Sequence, residues 1–150
     1  MIELDHNQIE GKSPMADSTT KTVGVDLAKQ VYAICETNHS GQVIRRLELR
    51  RDAFSHYLTQ LPPASVVAME ACSGAHHWAR LCQRHGLIPK LIAAQFVTPF
   101  RKSTRNKNDR NDAEAIATAA HQGNMRFVTV KEVDQQARLC WHRVREGYKV

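Results

Sequence analysis

No stretch of this 150-residue chain stays apolar for the roughly 18 positions that a membrane helix needs, which excludes an α-helical span. Met1 to Lys21 is polar and has no apolar h-region, which argues against a secretory signal. The four cysteines, Cys35, Cys72, Cys82 and Cys140, are scattered and form no Cys-x-x-Cys pair. That pattern predicts reduced, buried thiols of a cytosolic protein. A zinc site from Cys72, His76, Cys82 and His85 is disfavoured: on one helix the first two face roughly 130° away from the last two. Internal repeats are absent, and so is any low-complexity segment beyond the leader.

What is present suits one ordinary domain. Apolar residues make up 42% of the chain, enough for a real core. Residues 1–21 read as a disordered leader, with Met15 as an alternative start. The net charge of +6 is uneven, since residues 22–150 hold 19 basic against 11 acidic side chains. Such a surface suits a polyanion, though charge alone does not separate DNA from RNA, and many basic domains bind neither.

The apolar pattern predicts strands at Val23–Asp26, Val31–Thr37 and Gln42–Leu49, the last two joined by the turn Asn38-His39-Ser40-Gly41. Val43 and Leu47 are the apolar positions of the third strand. Asp52 is the expected N-cap of a helix running to Leu61, with Phe54, Tyr57, Leu58 and Leu61 on one face, and Pro62-Pro63 ends it. Ser65–Met69 reads as a strand buried on both faces. A helix from about Ala75 to His85 follows, with Trp78, Leu81 and Cys82 inward and Gly86 as its stop. Leu87–Ala94 is a fifth strand, residues 101–108 a basic connection, and Asn111–Gln122 a helix whose alanines permit close approach to a sheet. This order predicts an α/β, ribonuclease H-like mixed five-stranded sheet flanked by helices, with the first strand central. The amphipathic helix Glu132–Gly147 comes last, with Val133, Ala137, Cys140, Trp141, Val144 and Tyr148 in one stripe. Its stripe runs almost to the final residue, which suggests a piece of a longer protein.

Four acids stand at the mouths of these elements. Asp26 ends a Val-Gly-Val strand, Glu70 closes Ser65–Met69, and Asp109 and Asp112 open a helix. Singly, each has an ordinary alternative: a turn opener for Asp26, a helix cap for Glu70, and an N-cap with an acid at N3 for the pair. Jointly they suggest a divalent metal site. Magnesium prefers oxygen ligands, and two ions about 3.5–4 Å apart can clamp an in-line phosphoryl transfer. The basic stretch with Arg101, Lys102, Arg105, Lys107 and Arg110 either is a solvated loop or guides a phosphate backbone to those acids. His76, His77 and Trp78 read as helix packing and surface.

Three segments share their pattern with a known family. Val23-Gly24-Val25-Asp26-Leu27-Ala28-Lys29, Ala68-Met69-Glu70-Ala71-Cys72-Ser73-Gly74 and Lys107-Asn108-Asp109-Arg110-Asn111-Asp112-Ala113-Glu114-Ala115-Ile116 resemble the DEDD transposases of the insertion-sequence-110 family. Gln135-Gln136-Ala137 and His142-Arg143-Val144-Arg145-Glu146-Gly147 are similar to its insertion-sequence-1111 subgroup. The resemblance implies a RuvC-like catalytic domain over 22–130, with Asp26, Glu70, Asp109 and Asp112 holding Mg2+, and the start of a truncated connecting coiled-coil helix over 131–150. It further implies a cytoplasmic, nucleoid-associated protein whose partners are DNA of the mobile element and its target, a structured guide RNA, and further copies through the C-terminal helix. A second domain with a serine nucleophile, usual in the family, is not in this sequence. Three alternatives remain: a host resolvase, an inactive remnant that only binds nucleic acid, and a sugar-kinase or actin-like ATPase. The last would need a second glycine-rich phosphate loop, which the sequence lacks.

Overall fold

The computed structural model describes residues 20–27, 30–102 and 109–147, without the side chains of 109–111, 142 and 144–147. Residues 1–19 of the expected leader, Met15 among them, and Arg105, Lys107 and Tyr148 lie outside the described residues. Among those described, no helix is long and apolar enough to cross a membrane.

Five strands form one mixed sheet in the order β3-β2-β1-β4-β5: β1 (Thr22–Asp26), β2 (Val31–Thr37), β3 (Val43–Arg50), β4 (Val66–Glu70) and β5 (Ile88–Ile92). β1 is central, antiparallel to β2 and parallel to β4. The β2–β3 hairpin closes where expected. The Asn38 side-chain oxygen accepts from the Ser40 and Gln42 amides at 2.9 and 3.0 Å, and Gly41 takes φ +87°, a conformation that costs glycine little. A register shift between Glu36 and Thr37 then alters the phase of the first residues of β3. Val43 is therefore exposed, contrary to the alternation expected for it, and Leu47 and Leu49 supply the packed positions.

The period-two alternation of the strands builds two unlike faces. On one, Val23, Val25, Tyr32, Ile34, Val67 and Met69 pack beneath α1 (Arg51–Gln60) and α2 (Ser73–Arg84). Phe54 and Trp78 lie edge to face at 4.8 Å, and both meet the ring of Tyr32. Asp52 is not the N-cap of α1; that position is Arg50, and Asp52 sits in the first turn, where its charge favours the helix dipole. α2 starts two residues ahead of the expected Ala75, from an N-cap at Cys72.

The opposite face carries small residues: Gly24, Ala33, Cys35 and Ala68. Onto it packs α4 (Asp109–Ala120), through Ala113, Ala115, Ile116, Ala117 and Ala119. Gly24 decides how close this helix lies. A Cβ there would overlap the Ala113 carbonyl oxygen and come within 2.7 Å of the Ala117 amide nitrogen. Between β5 and α4 the chain makes one helical turn, α3 (Ala94–Val97), and a 3-10 turn, Thr98–Phe100. These shorten the fifth strand from the expected Leu87–Ala94, and they are too brief to show a helical period.

After α4 the chain returns along the sheet edge, where the Val128 amide donates to the Leu91 carbonyl at 2.7 Å. α5 (Val133–Gly147) follows. Val133 and Trp141 are 64% and 71% exposed, so its apolar stripe is not packed on the domain at those positions. The cysteines divide. Cys35 and Cys82 are buried, whereas Cys72 and Cys140 are exposed, contrary to the expectation of four buried thiols. Cys72 caps a helix near the sheet edge and Cys140 lies on the open helix, so neither has a core to enter.

One acid is buried within the core. Glu36 is 1% exposed and accepts hydrogen bonds from Tyr57 (2.6 Å), Lys21 (2.9 Å) and Arg45 (3.0 Å). Burial pushes its carboxyl up, but these donors outweigh burial and hold it below its ordinary value of 4.5.

Two outcomes follow from this packing. Gly24→Ala forces the α4 backbone off β1 and should lower the unfolding free energy by about 3 kcal/mol in a urea titration; a change below about 1 kcal/mol would show that the helix slides freely. Because the folded-state carboxyl of Glu36 is depressed, its contribution is intact above pH 4.5 and is lost as pH falls through the folded value. Thermal melts between pH 7 and about 3 should therefore fall less steeply for Glu36→Gln than for the unaltered chain, and parallel curves would contradict this.

Candidate metal and phosphate site

Asp26 and Glu70 are the last residues of β1 and β4, two neighbouring parallel strands in which Val25 lies opposite Met69. Parallel pairing brings both acids to the same edge of the sheet, where the chain leaves the ladder. α4 crosses β1 in the opposite sense. Its far end lies at the start of β1, where the His121 ring meets Thr37 Oγ1 at 3.0 Å and that hydroxyl donates to the Thr22 carbonyl at 2.9 Å. Its first turn, with Asp112, therefore reaches the Asp26 edge. Asp109 is the first residue of α4, and its side chain lies outside the described residues.

Arg101 joins two of these acids. Its Nη2 donates to Glu70 Oε2 at 3.3 Å, and its Nε lies 3.0 Å from Asp112 Oδ1. The second contact is close enough for an ion pair but too poorly aligned for a hydrogen bond. Among the described residues the buried Nε has no hydrogen-bond partner. Arg101 is thus turned onto carboxylates, although the sequence suggested a phosphate contact. Lys102 is also paired, with Glu114 at 3.2 Å, yet remains 72% exposed. Arg46 reaches the other oxygen of Glu114 at 3.3 Å. Burial raises the Glu114 carboxyl, but the bonds from Lys102 and Arg46 outweigh it and leave the group below its ordinary value. Sequence reasoning passed over Glu114. Its signal was its position two residues after Asp112, about 200° round the helix and so toward a different set of cations. Arg110 has no described side chain.

The donor set is all carboxylate, which suits a hard divalent cation such as Mg2+ and not zinc. Glu70 and Asp112 already share one cationic partner, so the pair demands positive charge between its members. Among the described residues, no three His, Cys, Asp or Glu side chains are close enough together to hold a metal ion. In this arrangement the guanidinium answers that demand. The Cys72, His76, Cys82 and His85 grouping is likewise not assembled, and burial pushes the Cys82 thiol up to about 12.

A second cluster fixes the segment that follows α4. His76, expected at packing and surface positions, is 6% exposed and accepts the Lys131 amide on Nδ1 at 3.1 Å. Burial, with the Lys131 and Arg80 charges, lowers its pKa and keeps the ring an acceptor. Arg80 donates to the Lys131 carbonyl at 2.5 Å, and Gln136 Nε2 to the Ser73 carbonyl at 3.0 Å. The start of α5 is thereby tied to the first turns of α2, directly after Glu70.

Comparison with known proteins bears on the fold and the family. A family model described as a transposase, for the DEDD transposases of insertion sequence IS110, matches residues 23–146. A probable family 20 transposase of Pseudomonas aeruginosa is 46% identical over 123 residues, 82% of this chain and 36% of that protein. The transposase for insertion sequence element IS1111A of Coxiella burnetii is 46% identical over 116 residues, 77% of this chain and 31% of that protein. The transposase for insertion sequence element IS1328 of Yersinia enterocolitica is 44% identical over 126 residues, covering 83% of this chain and 36% of its own. The chain thus spans about a third of the length of these curated relatives. Among solved structures, RuvC of Thermus thermophilus superposes with a TM-score of 0.51 at 9% identity, covering 73% of this chain and all of that one. The sheet is therefore the ribonuclease H-like one that the element order predicts. With the sequence match running from β1 into α5, the chain belongs to the IS110 family of DEDD transposases.

Proposed function

We propose that this chain is the catalytic part of an insertion-sequence transposase, cutting DNA strands of a mobile element and its target with the help of Mg2+. The observation that carries the reading is the Arg101-bridged pair, Glu70 and Asp112, on the sheet edge where β1 also delivers Asp26. Asp26, Glu70, Asp109 and Asp112 would hold the metal. A bound divalent ion would supply Lewis-acid activation of a phosphodiester and neutralise the charge that develops on its oxygens.

The protein's own residues set the conditions for that chemistry. Strand ends and a helix closely packed on Gly24 hold the carboxylates on rigid elements, so they need little reorganisation. Arg101 limits their mutual repulsion. Lys102, Arg105, Lys107 and Arg110 surround the acids in sequence and would lead a phosphate backbone toward them, fixing position and not sequence. A guide RNA, a second domain with a serine nucleophile, and association through the Val133–Trp141 stripe belong to the same proposal. They rest on family resemblance and on the exposed face of α5.

Calorimetric titration with Mg2+ should show binding that Asp26→Ala abolishes while the circular dichroism stays unchanged; an unaltered titration would sink the metal assignment. Affinity for branched DNA should fall steeply with salt, the slope of log K against log salt being about 0.9 per phosphate contacted. A salt-independent affinity would remove the basic segment from the interface.

A further inference from the structure

Arg101 was expected to meet phosphate, and it meets two acids. We infer that Arg101 is a resident counter-cation that competes with divalent metal for Glu70 and Asp112, and that metal loading releases its guanidinium to the phosphodiester. This rests on the reading of these acids as a metal site.

Three observations lead there. First, one guanidinium spans two carboxylates from separate elements, one at the end of β4 and one on α4, at 3.3 and 3.0 Å. A dication seeking the same oxygens must therefore displace it. Second, the grip is imperfect. Well-formed arginine–carboxylate pairs make two parallel hydrogen bonds to one acid, whereas here one bond is long and the buried Nε has no hydrogen-bond partner among the described residues. A group so held loses little when it leaves. Third, the adjacent cation pairs elsewhere: Lys102 meets Glu114, which Arg46 also reaches, so among the described residues Arg101 is the cation that bridges Glu70 and Asp112. The backbone at Arg101 is held separately, its amide donating to the Thr98 carbonyl at 3.1 Å, and it can keep its place while the side chain turns. The planar fork that fits a carboxylate also fits a phosphate, so one side chain can serve the empty and the loaded site in turn.

The competition predicts a sign that a purely structural arginine would not give. In calorimetric titrations of the full chain with Mg2+, Arg101→Gln should bind the metal about tenfold more tightly than the unaltered protein. Its melting temperature without metal should fall, because Glu70 and Asp112 are left facing each other. Arg84→Gln, in the last turn of α2 and away from Glu70, should leave metal affinity unchanged. In 15N spectra, the Arg101 Nε–H resonance, assigned by its absence from Arg101→Gln, should move as Mg2+ is added to the unaltered chain. Metal binding by the unaltered chain that is equal or weaker in Arg101→Gln overturns the competition and leaves the metal site standing. Failure of both proteins to bind metal overturns the site reading and the competition together. Should Arg101→Gln not fold, Arg101→Lys decides: it keeps the charge but loses the two-pronged reach, so a smaller gain in affinity is expected and no gain overturns the inference.

Discussion

The approach of α4 to β1 at Gly24 constrains most of what the molecule does. A helix normally stands off a sheet by the thickness of its side chains, yet here the Ala113 carbonyl and the Ala117 amide occupy the space of a missing Cβ. Small residues on the neighbouring strands, Ala33, Cys35 and Ala68, extend the same flat bed. The helix therefore lies low on the sheet, and its first turn comes level with the strand ends that carry Asp26 and Glu70. Were the helix held higher by a larger residue, Asp112 would move away from Arg101 and the shared ion pair with Glu70 would be lost.

The two ends of β1 treat charge in opposite ways. Near its start, Glu36 has three donors and almost no exposure, so the charge is fully satisfied and the arrangement has one stable state. At its other end Arg101 serves two acids with one long hydrogen bond and one misaligned contact, and both acids are partly open to solvent. A network with every partner in place fixes a fold; one with unmet capacity is ready to exchange partners. The first belongs to stability and the second to chemistry.

Much of this was legible in the sequence. Element order and the central first strand followed from apolar runs and turn residues, and the alanines of α4 announced a close-packed helix. The four acids stood out because acids at strand ends contribute little to a core. Pairing among charges was not legible. Arg101 and Lys102 are both basic residues in a polar connection, and only the tertiary arrangement turns one onto Glu70 and Asp112 and the other onto Glu114. Val43 was misplaced because a one-residue slip at Glu36–Thr37 changes the phase of the next strand, and a slip leaves no mark in composition. His76 looked like an ordinary helix residue, and its role depends on Lys131, 55 positions away.

The grip of α2 on the segment before α5 has a mechanical consequence. His76 and Arg80 hold Lys131 by its amide and its carbonyl, and Gln136 is bonded to Ser73. Ser73 lies three residues beyond Glu70. A torque applied along α5 is thus delivered through short, directional bonds to the first turn of α2, beside the strand end that presents Glu70. The root of the helix is pinned beside the acid edge, and its starting direction is set by the first turns of α2.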